Sequence, residues 1–296
     1  MQSLALYVRE NKLRCYCLFT SVCHLVAALV MAKFAYDDMI PLRVRFTKQL
    51  GWWFPPEDLP VVNATFLTCP LAPSTVARDP AFRVQQIVLG GMGEIPVLWI
   101  IVSFHVLSFA FQMALGSSRD MYYDCLGCPI THLVEYTFSA PLMLVAMCAQ
   151  FGITDVFIIL LVATSCAGCM VLGIMAEHMR LVKDVITFHD VPLVSSHWLA
   201  HIMGWILLAA SFVAMLSNLQ TFKYCLADTA LEPFPDWVFA LAYGELVAFS
   251  LFGLVQFGSF LWPNPDLTEA AYITLSLTAK LGLGITIFAG NYMVKN

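Results

Sequence analysis

Seven runs of this chain, near 15–36, 92–115, 127–150, 153–176, 197–219, 237–261 and 269–293, stay apolar long enough to cross a lipid bilayer, which takes about 20 residues. Hydrocarbon supplies no water to satisfy peptide N–H and C=O groups, so each run must satisfy its own backbone as a helix. The expectation is an all-α membrane protein, a seven-transmembrane helix bundle forming a single domain over residues 1–296. Charge usage agrees. Only 12% of the 296 residues are charged and 60% are hydrophobic, where a soluble domain carries roughly 25% charge. A net charge of −5 offers no basic field to nucleic acid, so the partner implied by composition is the lipid bilayer. The basic amino end runs into the first apolar run without a small-residue cleavage site, and no cleavable leader is expected.

Short connections join the second to seventh runs, whereas the first connection occupies 37–91. It holds Pro55, Pro56, Pro60, Pro70, Pro73 and Pro80, and its runs 42–46 and 61–67 alternate apolar with polar residues. Alternation bounded by prolines predicts two strands, hence a β-hairpin capping one mouth of the bundle. Asn63-Ala64-Thr65 has the form of an N-glycosylation acceptor, which would place this loop outside the cell. Basic residues lean the same way. With the amino terminus cytoplasmic, the inner side holds Arg9, Lys12, Arg14, Arg119, Arg180 and Lys183, and the short outer loop and extracellular carboxyl terminus hold Lys223 and Lys295. Cys15, Cys17, Cys23, Cys148, Cys166 and Cys169 fall in apolar runs, where a thiol behaves as a small hydrophobe. Cys125 and Cys128 have the spacing of half a zinc site, but no second pair accompanies them, so no metal is expected. Cys69 and Cys225 would both face outward, where a disulfide could join them.

One residue breaks the apolar pattern where the cost is highest. Lys280 lies in the middle of the last run and is the only side chain between 270 and 294 that is fully charged at neutral pH. A charge at that depth costs about 2.5 to 3.5 kcal/mol on insertion scales, so it calls for a buried acid or a covalent partner. Glu94 and Asp155 stand at run starts, Glu177 closes the fourth run beside His178 and Arg180, and Glu245 lies a few turns into the sixth. Glu135, well inside the third, matches Lys280 in depth.

Helical spacing gathers more polar groups around these two. Ser276 precedes Lys280 by one turn, and His132, Glu135 and Ser139 form one stripe of the third helix. Two readings follow. In the first, the pair is a structural salt bridge in a cofactor-free receptor or scaffold. In the second, the lysine forms a Schiff base with an aldehyde cofactor and Glu135 is its counterion. Trp205, Tyr243, Phe249, Phe252, Phe257, Met143 and Met147 would then line a polyene pocket, although each alone is more often core packing. No nucleophile–base constellation suggests an enzyme.

The stretches Glu135-Tyr136-Thr137-Phe138-Ser139-Ala140 and Ser276-Leu277-Thr278-Ala279-Lys280, set in seven runs with a long outer first loop, resemble the heliorhodopsins. These are a divergent group of retinal-binding microbial rhodopsins with inverted membrane orientation. The resemblance implies that Lys280 binds all-trans retinal and that Glu135 is the Schiff-base counterion. It further implies that His24 and His105 are the two histidines of a polar cavity near the Schiff base, and that Glu177 is the family's fourth-span glutamate. The function implied is a light-sensing photoreceptor, a homodimer with a slow photocycle and an unnamed signalling partner. Two departures stand out. His132 and Leu133 occupy the places where the family usually has arginine and tryptophan, and Pro141, which would kink the third helix, follows Ser139 and Ala140. Histidine changes charge near neutral pH, so the alternative is light-gated or light-driven proton transport through Glu135, His132 and either Glu177 or Glu245.

Overall fold

The computed structural model describes residues 2–36, 43–52, 85–117, 128–182, 185–188, 191–227 and 235–295. Seven long helices are present: α1 (Gln2–Tyr36), α2 (Val97–Ser117), α3 (Cys128–Gln150), α4 (Val156–Val182), α5 (Ser196–Ala227), α6 (Asp236–Leu261) and α7 (Pro265–Lys295). Each contains a segment long and apolar enough to span a membrane, as the seven apolar runs require. The second helix begins later than its hydropathy implies. Gly90, Gly91, Gly93 and Pro96 precede it, and these residues are poor in helix interiors.

Helix ends follow local chemistry. At the end of α3, Gly152 adopts φ 69°, Ile153 N–H donates to Cys148 O at 2.9 Å and Gly152 N–H to Ala149 O at 3.3 Å. These are the two bonds of a Schellman cap, for which glycine is suited. Three residues later Asp155 caps α4, its Oδ1 accepting from the backbone of Phe157 (2.8 Å) and Ile158 (3.2 Å). Asn264 does the same for α7 through Leu267 N at 3.2 Å, with Pro265 at the first helical position. Arg14 ties α1 to the last carbonyls of α2, Nε to Gly116 O at 2.7 Å and Nη2 to Ser117 O at 2.8 Å.

The helices close a ring in chain order, each packed on the next and α7 returning to α1. Within the ring α7 also packs across onto α3 and α2. Helix α3 is the most enclosed of the seven. The α5–α6 contact is the sparsest between neighbours, and at one point it is close: a Cβ on Gly253 would meet Trp205 Cζ2 at 2.5 Å. Large apolar side chains such as Phe157, Leu161, Ile206, Val213 and Val247 point outward, as lipid-facing positions must.

Around Lys280 the inward faces differ in kind, although Glu177, His201, Glu245 and Gln256 are also buried on α4, α5 and α6. α1, α2, α3 and α7 bury polar side chains, among them Thr20, His24, His105, Ser108, His132, Glu135, Ser139, Ser276 and Lys280. α4 and the lower part of α6 contribute Met170, Phe249 and Phe252 to an apolar wall. A site placed between these halves meets charge on one side and hydrocarbon on the other.

Outside the bundle, β1 (Arg43–Trp52) pairs antiparallel with β2 (Gln85–Pro96), and Val185–Phe188 pairs with Val191–Ser195. The expected hairpin takes 42–46 and 61–67 as its strands, and 61–67 lies outside the described residues. Arg43 to Phe46 stand opposite Pro96 to Gly93, at the far end of the loop. Alternation shows that a run can be a strand but does not name its partner. Residues 61–67, Asn63, Cys69 and Cys125 lie outside the described residues.

Candidate functional site

Lys280 and Glu135 meet in the centre of the bundle. Lys280 is 2% exposed and Glu135 fully buried, with Nζ 2.6 Å from Oε1. Both sit on inward helical stripes. On α7 the buried positions run through Tyr272, Ser276, Lys280 and Leu283, and on α3 through His132, Glu135, Ser139 and Met143, the three- and four-residue steps of one helix face. Lys280 Nζ also donates to Ser108 Oγ and to Ser276 Oγ, the latter at 3.1 Å. An ammonium has three N–H donors, and each has an acceptor here. Ser108 in turn donates to Glu135 Oε1 at 2.7 Å, so one hydroxyl bridges amine and carboxylate. The Tyr136 ring centroid lies 5.2 Å from Nζ, and Tyr136 Oη is held by the Tyr272 carbonyl at 2.9 Å.

A small cavity adjoins the lysine, lined by Tyr136, Ser139, Ala140, Met143, Met170, Phe249, Phe252, Ser276 and Ala279. Two alanines give it width and four large side chains give it apolar walls. Glu135 Oε2 and Ser139 Oγ are buried without a hydrogen-bond partner among the described residues, which natural interiors avoid unless a ligand, water or function accounts for it.

A primary amine with a carboxylate beside an apolar cavity is an arrangement that suits an aldehyde-bearing polyene, and comparison with known proteins bears on the choice of polyene. The heliorhodopsin family model matches residues 13–292. The chain belongs to the heliorhodopsin family. No curated protein matches it. Heliorhodopsins are retinal-binding rhodopsins, and the residues present fit retinal: Lys280 would supply the amine, Glu135 a balancing charge, and Met143, Met170, Phe249 and Phe252 a hydrocarbon lining.

In this heliorhodopsin the remaining sequence-derived residues separate into several places. His24 and His105 meet, Nδ1 to Nδ1 at 3.0 Å, with both Nε2 atoms buried and unpartnered among the described residues. A Cβ on Gly284, one turn beyond Lys280, would meet His105 Nε2 at 3.6 Å. The two histidines thus form one unit beside the amine. His132 is fully buried, its ring centroid 6.3 Å from those of Tyr136 and Tyr272, one turn from Glu135. Glu177 stands apart at the end of α4, where Arg180 donates to its Oε2 at 3.0 and 2.9 Å and Ser259 to its Oε1 at 3.4 Å. Glu245 is buried on α6 with Oε2 unpartnered among the described residues, and it is not among the groups bonded to Lys280.

Four of the expected lining residues do not line the cavity. Tyr243 is 48% exposed. Six residues before Phe249, it is rotated roughly 240° from the inward face at about 3.6 residues per turn. Trp205 does not line the cavity; its indole lies on Gly253, and Nε1 donates to His201 Nε2 at 3.0 Å. Phe257 is likewise 41% exposed and Met147 is buried in the core away from the cavity lining. The sequence reading missed Ser108, Met170, Ala140 and Ala279. Ser108 carries a weak signal, falling one turn after His105 on the buried face of α2.

Proposed function

We propose that this protein is a light-sensing photoreceptor that binds all-trans retinal at Lys280, with Glu135 as counterion. The observation that carries the reading is the buried Lys280–Glu135 pair beside an apolar cavity. Retinal joined to Nζ as a protonated Schiff base would supply visible absorption and light-driven isomerisation. The chain's own groups do the rest. Glu135 Oε1, 2.6 Å from Nζ, stabilises a positive charge there by proximity in a medium of low polarity. Ser108 and Ser276 fix the orientation of the nitrogen, and Tyr136 offers its ring face to the same charge. His24 and His105, adjacent and enclosed, can hold a proton released from Nζ and return it, which suits a slow cycle confined within the protein. Charge placement supports a cytoplasmic amino terminus and an extracellular carboxyl terminus. In the same reading the protein is a homodimer that signals to a partner protein.

The test is the visible spectrum of protein purified with and without all-trans retinal. A visible band is expected only with retinal, and a folded protein that stays colourless with retinal would refute the reading.

One observation favours a second reading, light-gated or light-driven proton transport. His132 is buried one turn from Glu135 and against two tyrosines, so a titratable ring occupies the helix turn next to the counterion. Under voltage clamp, illuminated cells should then pass a current that follows the proton gradient, and His132→Arg should suppress it while the pigment stays coloured. No photocurrent in the wild type across pH and voltage would leave the sensor alone.

A further inference from the structure

The cavity wall made by Phe249 and Phe252 is backed by a polar chain that the site above does not use. Trp205 Nε1 lies 3.0 Å from His201 Nε2, His201 Nδ1 lies 3.0 Å from Gln256 Oε1, and Gln256 Nε2 donates to Gly173 O at 2.9 Å. The chain joins α5, α6 and α4. His201 and Gln256 are buried, 6% and 5% exposed, so neither has water as an easy substitute partner.

Every direction in this chain is dictated. Indole nitrogen only donates, so His201 Nε2 must be an unprotonated acceptor. Nδ1 then carries the ring's single proton and donates to Gln256 Oε1. The reverse orientation of the Gln256 amide would set its oxygen against the Gly173 carbonyl, so that orientation is settled too. His201 is therefore held as the neutral Nδ1–H tautomer. An imidazolium has two N–H donors and no acceptor, and it cannot keep the bond from Trp205.

Trp205 sits where its placement matters. The α5–α6 contact is sparse, and the indole covers Gly253, where a Cβ would approach ring atoms to 2.5 and 2.8 Å. Gly253 directly follows Phe252, which lines the cavity. We propose that His201 is a positioning residue for the chromophore cavity: as the neutral Nδ1–H tautomer it holds the Trp205 indole on Gly253 behind the wall of Phe249 and Phe252, and taking up a second proton releases that indole. The charged or titratable groups that face His201 are few among the described residues. From α4 comes Glu177, already engaged by Arg180 and Ser259, and from α5 His197, one turn earlier. α6 presents Gln256, Phe257 and Phe260, none of which titrates. The structural switch needs only the residues named; its optical consequence rests on the retinal reading above.

Two measurements on the full chain separate these parts. The first is the indole hydrogen-bond signature of Trp205 in ultraviolet resonance Raman or ¹⁵N magnetic resonance, assigned by its loss in Trp205→Phe. It is recorded from about pH 8 downward, well past the ordinary histidine midpoint of about 6.5, with and without retinal. The bonded signature should be lost at the acid end in wild type and kept in His201→Gln, whose amide oxygen can accept from the indole without titrating. The second is the rate of dark recovery after a flash in the retinal-loaded protein. On acidification wild type should move toward the Trp205→Phe rate, a change of about fivefold, the weight of one neutral hydrogen bond, whereas His201→Gln should not. A Trp205 signature that stays constant with pH in wild type, or that titrates equally in His201→Gln, overturns the proposal. A colourless protein whose Trp205 signature still titrates would refute the retinal reading and support the switch.

Discussion

Lys280→Ala is expected to abolish the visible band of the retinal-loaded protein completely. No other lysine lies in the membrane-spanning part of α7, and the cavity ends on this side chain, so no second amine can take over. Removing the amine has a further consequence, because Glu135 would keep its burial and lose its cation, retaining only Ser108. Breaking a buried pair from one side costs about 3 to 5 kcal/mol if the survivor stays charged. Thermal unfolding of the retinal-free protein should therefore show Lys280→Ala less stable than wild type, with Glu135→Gln added to it recovering part of the loss. Strict additivity of the two substitutions would mean that the ion pair is not a unit. A visible band that survives in Lys280→Ala would remove the lysine from the proposed chemistry.

Glu135→Gln should produce the second largest change, in colour rather than in binding. Glu135 is the acid in ion-pair contact with Lys280 among the described residues. Ser108 and Ser276 remain, but hydroxyl dipoles replace only part of a full charge. Without an anion beside it, a protonated nitrogen in a low-polarity site is destabilised, so at neutral pH the band should move into the near ultraviolet. If chloride or another small anion enters the space left by the carboxylate charge, the band should stay visible and shift to the red, and changing the salt should change it. Glu245→Gln is the matched control. Glu245 is also buried, yet it makes no bond to Lys280, so its loss should leave the colour nearly unchanged. A colour change on Glu245→Gln with none on Glu135→Gln would transfer the counterion role to α6.

How far a sequence can be read differs among these residues, and the differences have physical causes. Lys280 and Glu135 were legible because a charge in hydrocarbon is expensive enough to demand an explanation, and few acids lie at matching depth. Ser276 and Ser139 followed from helical spacing once the first pair was chosen. Ser108 did not, since a serine in an apolar run costs little, back-bonds readily to its own helix and marks nothing by itself. Tyr243 and Trp205 were assigned to the cavity by composition and span, yet one faces outward and the other bonds to His201. His201 and Gln256 were passed over, because a histidine and a glutamine on different helices have no spacing that links them.

The amino-acid sequence by itself determined the solvent, the number of helices and the polar stripes of α3 and α7, because hydropathy and the 3.6-residue period act within a single segment. The tertiary structure alone decided which stripes share a level, that one serine bridges amine and carboxylate, that His24 bonds to His105, and that Trp205 rests on Gly253. Those facts depend on rotation and axial register between helices, which are set by side chains fitting against a neighbour far away in the chain. The same contrast holds in the first loop, where alternation marked a strand but left its partner to the fold.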